Sequence, residues 1–306
     1  MIKSTEVEDA ARRIDGRIRR TPVAAAGPDL WFKLEYLQHA GSFKTRGMVN
    51  QILAGAERGA LPPAGIIAAS GGNAGLAAAF AARELGVAAE VYVPVTAPPV
   101  KVAKLGKLGA RVVQAGNEYA EAYAAATVRA EETGALFCHA YDDPAMVAGN
   151  GTLGLELIEQ IPSGFDTVLV AVGGGGLVAG VIAALRDRAR IVAVEPATSR
   201  ALNAALEAGE PVDVPVSGVA ADSLGARRAG RIAYELAADA GITSVLVPDE
   251  AIVDARSRLW DDYRIVVEHG TAAAQAALLC GAYRPEPGER VVVLLCGANT
   301  NPADLG

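Results

Sequence analysis

Residues 167–186 read TVLVAVGGGGLVAGVIAALR, and this stretch settles how the chain is built. An unbroken run of Val, Leu and Ala without polar alternation is a strand covered on both faces, as in a parallel sheet. Gly173, Gly174, Gly175 and Gly176 follow at once, and the apolar run from Leu177 onward is helical. The turn sets side-chain-free N–H groups at the positive end of a helix, which is a cradle for phosphate. A tight turn packed against its sheet would account for a glycine or two, but each further glycine costs conformational entropy. Gly174, Gly176 and Ala179 also spell G-x-G-x-x-A, and Glu195 ends the next apolar run. A separation of about twenty residues is the spacing of a dinucleotide fingerprint, so an NAD-type oxidoreductase is a rival reading of the same glycines.

The same grammar extends in both directions. From Gly65 onward GIIAAS, AAEVYVP, ARVVQA and GALFCHA read as strands, separated by helical NAGLAAAFAARELG, APPVKVAKLGKLG and NEYAEAYAAATVRAEETG. After a helical GNGTLGLELIEQI, the strands are DTVLVAV, RIVAVEP, ITSVLVP and RVVVLLC, with LVAGVIAALRDRA and AGRIAYELAADAG helical between them. Alternation of this kind predicts an α/β fold with two open, mainly parallel twisted sheets. At 306 residues the chain has room for two domains of the usual size of about 150 residues. The Gly, Pro and Asp-rich passage HAYDDPAMVAGNGT is the expected seam, giving a small domain at 42–143 and a large domain from 1–41 plus 144–306.

Composition narrows the function classes. With 51% hydrophobic and 21% charged residues the chain is globular, and 28 basic against 35 acidic residues leave a net charge of −7. No basic block or aromatic-basic face accompanies that balance, which argues against nucleic acid or an anionic membrane and favours a small-molecule partner. Cys138, Cys280 and Cys296 are too scattered for a disulfide framework, so a reducing cytoplasm is expected. The opening MIKSTEVEDAARRIDGR has no apolar core of a secretory signal. Two uncharged runs, Leu61 to Ala82 and Val168 to Leu185, reach membrane-helix length, but glycines break each near its middle. Strand, turn and helix is the better reading of both.

Three further segments could carry chemistry. In GIIAASGGNAGLAAAFAARELG a second glycine turn leads into a helix, and the N–H groups from Gly71 to Ala74 would face a small anion such as a carboxylate. Asn73 there is an ordinary helix cap or a ligand-holding amide. In HAGSFKTRGMVNQ and the residues just after it, the apolar stripe Met48, Ile52, Leu53 and Ala56 puts Lys44 near the start of a helix, with Ser42 or Thr45 available as a cap. A helix N-terminus disfavours an ammonium and burial would lower its pKa, which is how an amine becomes nucleophilic near neutrality, although a solvated surface lysine is the simpler alternative. In ERVVVLLCGANTNP, Cys296 ends a buried strand, where open α/β sheets place ligand contacts and where buried cysteine is also plain core filler. His39, His139 and His269 have no zinc-motif companions, so no metal site is read from them.

Taken together and in order, GSFKTRG, SGGNAG, VGGGGLVAG, VEHGTAAA and LLCGANT resemble the fold-type II pyridoxal-phosphate enzymes. Within them the likeness is to the serine/threonine dehydratase branch, which also contains serine racemases. It runs from RTPV at Arg20 to the C-terminus, and it displaces the NAD reading. The resemblance implies pyridoxal 5′-phosphate (PLP) as cofactor, a homodimer, and a short dehydratase with no regulatory C-terminal domain.

It also implies roles residue by residue. Lys44 matches the lysine that carries the cofactor, and Phe43 the neighbour that packs on its ring. Asn73 matches the amide near the 3′ oxygen, Ser70, Gly71, Gly72, Asn73 and Ala74 the loop for the substrate carboxylate, and Gly173 to Leu177 the phosphate cradle. Cys296 matches the Ser or Cys facing the pyridine nitrogen, and Glu268 lies in the acidic segment near that ring. A thiol, unlike a carboxylate, cannot stabilise a pyridinium, so elimination of a β-substituent is favoured over reprotonation at Cα. Two departures bear on this expectation. Racemases of the family carry a serine where this chain has Gly71, which disfavours racemisation, with Ser70 next door. The usual VEPAG is VEHGT here, bringing His269 and Thr271 near the site. Asp222 in GVAADSLGA resembles a cation-binding acidic segment but lacks its acidic partner, so no metal is expected beyond that single candidate. The function implied is β-elimination of a small β-hydroxy amino acid such as L-threonine or L-serine, with racemisation or β-replacement as alternatives.

Overall fold

The computed structural model describes residues 2–59 and 61–305. Ten strands lie in the described residues: β1 (Val23–Gly27), β2 (Leu30–Lys33), β3 (Ile66–Ala69), β4 (Ala89–Val93), β5 (Arg111–Gln114), β6 (Leu136–Phe137), β7 (Thr167–Ala171), β8 (Arg190–Pro196), β9 (Thr243–Val247) and β10 (Val291–Leu294). They form two sheets, ordered β1-β2-β10-β7-β8-β9 and β5-β4-β3-β6. Every pairing is parallel except β1 with β2. The α/β reading with two mainly parallel sheets therefore holds.

Burial follows position in the sheet. Every residue of β7 and β10, at the centre of the larger sheet, is buried, as is every residue of β3 in the smaller one. Apart from Thr167 at the start of β7, these strands consist of Val, Ile, Leu and Ala, because both faces are covered by helices. The edge strand β5 exposes polar residues at both ends, Arg111 and Gln114, which discourages further strand pairing. Alanine-rich helices suit the cover: Ala77, Ala78, Ala81 and Ala82 of the helix Asn73–Leu85 pack into the core of the smaller sheet with Met48, Ile52 and Ile66.

Three local expectations change. The hairpin β1–β2, paired from Val23↔Lys33 to Gly27↔Leu30, adds two strands ahead of the first expected one. The passage read as a seam is largely helical: Asp143 accepts from Met146 N–H at 2.9 Å, Pro144 opens the first turn, and the helix runs Pro144–Gln160. Its glycines serve close packing, since a Cβ on Gly149 would stand 2.7 Å from the Arg46 carbonyl oxygen and one on Gly151 would stand 2.7 Å from that of Gly180. Neither Ser42 nor Thr45 caps the helix Lys44–Glu57; Thr45 Oγ1 donates back to the His39 carbonyl at 2.5 Å. The two uncharged runs resolve as strand, turn and helix, and among the described residues no helix is long and apolar enough to cross a membrane.

Candidate active site

Parallel strands share a carboxyl edge, and three of the chemistry-bearing segments start there. Gly173–Gly176 follow β7, Cys296 follows its neighbour β10, and Ser70–Asn73 follow β3 in the other sheet. Lys44 is drawn to the same place by backbone pairing: Ser42 bridges Gly297, Phe43 N–H donates to the Cys296 carbonyl at 3.0 Å, and Ala298 N–H donates to Gly41 at 3.0 Å. Lys44 is then the first residue of its helix, and its Nζ donates to the Ala140 carbonyl at 2.5 Å and sits 5.0 Å from the centre of the buried Phe43 ring. That carbonyl is held by His139, whose Nδ1 accepts from the N–H groups of Tyr141 (3.2 Å) and Asp142 (2.8 Å).

The electrostatics shift Lys44 toward its neutral form. Burial lowers the Lys44 ammonium to about 8, although part of the side chain keeps solvent access. Burial pushes the Cys296 thiol up to about 12, with the Glu268 charge adding to the shift, so the thiol is neutral at pH 7 and gives Lys44 no counter-charge there. Cys296 Sγ lies 3.2 Å from Thr271 Oγ1, which itself donates to the Gly297 carbonyl at 2.8 Å and accepts from Gly297 N–H at 2.9 Å. With its own proton spent on that carbonyl, the threonine leaves the thiol as donor in the pair.

Among the described residues, none of the N–H groups from Gly173 to Val178 has a protein acceptor, and helical bonding begins with Ala179 N–H to Gly175. Gly175 has φ +91°, a conformation that L side chains rarely adopt, and it turns the chain into the helix Gly176–Leu185. The Tyr141 ring lies over the loop, so that a Cβ on Gly174 would stand 2.5 Å from it. Six unpaired donors at a helix start are what a phosphate dianion needs.

The loop after β3 behaves differently from a cap. Asn73 starts its helix without capping it; its Nδ2 donates to Glu268 Oε1 at 2.6 Å, and its Oδ1 accepts from Asn299 Nδ2 at 2.6 Å. Asn299 also donates to the Ala40 carbonyl at 2.8 Å. Ser70 Oγ accepts from Gly72 N–H at 3.2 Å, and a Cβ on Gly75 would stand 1.9 Å from the Ser70 carbonyl. Burial pushes the Glu268 carboxyl up to about 7 against the pull of the Asn73 bond. Gly297 makes this approach possible, because a Cβ there would stand 2.4 Å from Glu268 Oε1.

Other candidates lie elsewhere. Glu195 is fully buried and accepts from Leu202 N–H (2.8 Å) and Asn203 N–H (2.7 Å), so it tethers the start of the helix Ala201–Ala208. Asp222 is largely exposed and pairs with Lys101 at 2.5 Å, and among the described residues no group of three His, Cys, Asp or Glu side chains could hold a metal ion. The Ala140 carbonyl, Tyr141 and Asn299 join the site without having been singled out in the sequence. Asn299 stood inside the quoted LLCGANT, whereas HAYDDP carried only the signal of a turn.

Two open sheets with a lysine, a glycine cradle and a strand-end thiol meeting at their carboxyl edges define a cofactor-dependent α/β enzyme. The chain belongs to the pyridoxal-phosphate dependent enzymes, whose family model matches residues 14–297. It is 38% identical over 307 aligned residues to an L-threonine ammonia-lyase of Geobacter sulfurreducens, covering 97% of this chain and 76% of that one. Among solved structures, a T.th. threonine deaminase superposes with a TM-score of 0.89 at 33% identity, covering 98% of this chain and 99% of the other. Maize serine racemase superposes with a TM-score of 0.90 at 29% identity, covering 99% and 95%.

Proposed function

We propose that this protein is a PLP-dependent ammonia-lyase that converts a small β-hydroxy amino acid, L-threonine or L-serine, to an α-keto acid and ammonia. The observation that carries the reading is the convergence of Lys44, at the start of its helix, with the strand-end Cys296, joined through the Phe43 N–H to Cys296 carbonyl bond at 3.0 Å, beside the unpaired N–H groups of the Gly173–Gly176 loop. The bound cofactor supplies an electron sink for the bond to the substrate Cα.

The remaining work falls to side chains and backbone of this chain. Gly173–Leu177 would hold the phosphate through their unpaired N–H groups, and the buried Phe43 would lie beside the cofactor. Asn73, whose amide is oriented by Glu268 and Asn299, would hold the cofactor's ring oxygen. The backbone from Ser70 to Ala74 takes the substrate carboxylate at a helix start. Lys44 would accept the Cα proton, a role that an amine with a pKa lowered to about 8 can fill near neutrality. Cys296, a neutral thiol, would offer a pyridine nitrogen no negative charge, which favours loss of the β-hydroxyl, leaving as water once it takes up a proton, over return of the proton to Cα. The released enamine tautomerises and hydrolyses.

Similarity to threonine ammonia-lyase and threonine deaminase supports this reading over racemisation, as does Gly71, which offers no side chain as a base on the opposite face. We take residues 42–143 as the small lobe and 1–41 plus 144–306 as the large one, since the smaller sheet is drawn wholly from within 66–137. A homodimer in the cytoplasm completes the proposal, supported by the family resemblance and by three cysteines with no disulfide among them. The test is a panel of β-hydroxy amino acids assayed for keto acid, ammonia and D-amino acid. Keto acid and ammonia in equal amounts from L-threonine or L-serine are expected; D-amino acid alone, or turnover only with an added thiol, would contradict the reading.

A further inference from the structure

The helix Pro144–Gln160 lies between the helix that begins with Lys44 and the helix that begins at the glycine cradle, and glycines bring all three backbones into contact. A Cβ on Gly47 would stand 2.7 Å from the Met146 carbonyl oxygen, and one on Gly180 would stand 2.6 Å from Gly151 N. Asn150 is a polar side chain inside this stack, and it is fully buried. Its Nδ2 donates to the Gly176 carbonyl at 3.2 Å. Its Oδ1 has no hydrogen-bond partner and rests against the lysine helix, 2.7 Å from where a Cβ on Gly47 would be. A buried amide with half its bonding unmet costs stability and calls for a reason.

The geometry points to Asn150 as a positioning residue for the cofactor phosphate, and this assignment rests on the cradle proposed above. The peptide joining Gly176 to Leu177 is planar and trans, so its N–H points opposite to its C=O. The Gly176 carbonyl is already an acceptor in the helix Gly176–Leu185, and Asn150 adds a side-chain donor that pins this peptide, with the Leu177 N–H directed away from Asn150 and into the cradle. The neighbouring carbonyls take backbone donors, Gly230 N–H on Gly174 (3.0 Å) and Ala179 N–H on Gly175 (2.9 Å), whereas Gly176 takes a side-chain donor in addition to its place in the helix. Asn150 also touches the helix of Lys44 one turn in, so a single side chain ties the place of the phosphate to the place of the amine.

The experiment compares PLP with pyridoxal, which lacks the phosphate, on the apo full-length protein. Affinity is read from the borohydride-reducible adduct, beside the thermal midpoint of each apo variant. Asn150→Leu removes the donor and the unmet Oδ1 at similar volume, and Asn150→Ala is the second variant. Loss of one aimed hydrogen bond should weaken PLP by about fivefold to tenfold. Pyridoxal affinity should stay unchanged, with the Asn150→Leu midpoint close to that of the parent. Equal weakening of PLP and pyridoxal, or no change in PLP, would overturn the assignment. A parent protein that forms no adduct with PLP at all would instead remove the cradle reading, and the role of Asn150 with it.

Discussion

Asn73 Nδ2 and Glu268 Oε1 stand 2.6 Å apart and join the end of β3 in one sheet to the segment beside β10 in the other. The carboxyl group is 8% exposed and its pKa is raised by burial to about 7, against an ordinary value of 4.5. Between those values the folded protein binds more protons than the unfolded chain, so stability falls as pH rises through that window. Glu268→Gln keeps an acceptor for Asn73 and removes the charge. Relative to the parent, this variant should gain on the order of 1–3 kcal/mol between pH 5 and pH 8, measured by urea unfolding of the apo protein. A stability difference that is flat with pH would show that Glu268 titrates normally.

Lys44 should titrate well below an ordinary lysine. With burial lowering it to about 8, roughly a quarter of the amine is free at pH 7.5, against about one in a thousand for a solvated lysine. Acylation of Lys44 in the apo protein, followed by mass spectrometry, should show a midpoint near pH 8. A midpoint above 10 would leave the amine no special reactivity.

The glycine loop tolerates no side chain at its turn. Alanine at position 175 must adopt φ +91° with its Cβ 2.4 Å from that of Ala233, and alanine at 174 meets the Tyr141 ring at 2.5 Å. Strain of this kind costs roughly 1–3 kcal/mol and distorts the donors. Gly175→Ala should lose PLP affinity by about tenfold or more in equilibrium dialysis. Retained affinity would mean that the phosphate binds elsewhere.

Two residues beyond Lys44, Arg46 is wholly buried and fork-bonds both oxygens of Glu35 at 2.8 Å while reaching Glu156 at 2.7 and 2.9 Å. Lys33 closes the group with bonds to Glu156 (2.5 Å), Gln160 (2.9 Å) and the Thr21 carbonyl (2.8 Å). Removing one partner strands the others without water, so Arg46→Met should destabilise the fold by about 3–5 kcal/mol. Arg46→Lys keeps the charge but loses the fork and should fall between. Chemical denaturation of both variants checks the order.

That network shows where sequence reading stops. Lys33, Glu35, Arg46 and Glu156 each look like solvated charges in their own windows, and their pairing depends on contacts up to 123 residues apart. The hairpin β1–β2 was hidden for a related reason: VAAAGPDLWFK has a proline and little β-branching, and its order comes from pairing with β10. By contrast the parallel sheets were legible because strands buried on both faces must be continuously apolar. The candidate site was legible where backbone chemistry fixes residue type, as at Gly173–Gly176. It was illegible where a main-chain carbonyl does the work, as at Ala140, whose side chain carries no signal.

The central claim is that Lys44 is the amine that carries the cofactor. Borohydride reduction of the PLP-loaded protein, followed by peptide mapping, tests it directly. The prediction is one pyridoxyl-labelled residue, Lys44, with the label absent from Lys44→Ala. Label on a different lysine, or a protein that takes up none, would contradict it.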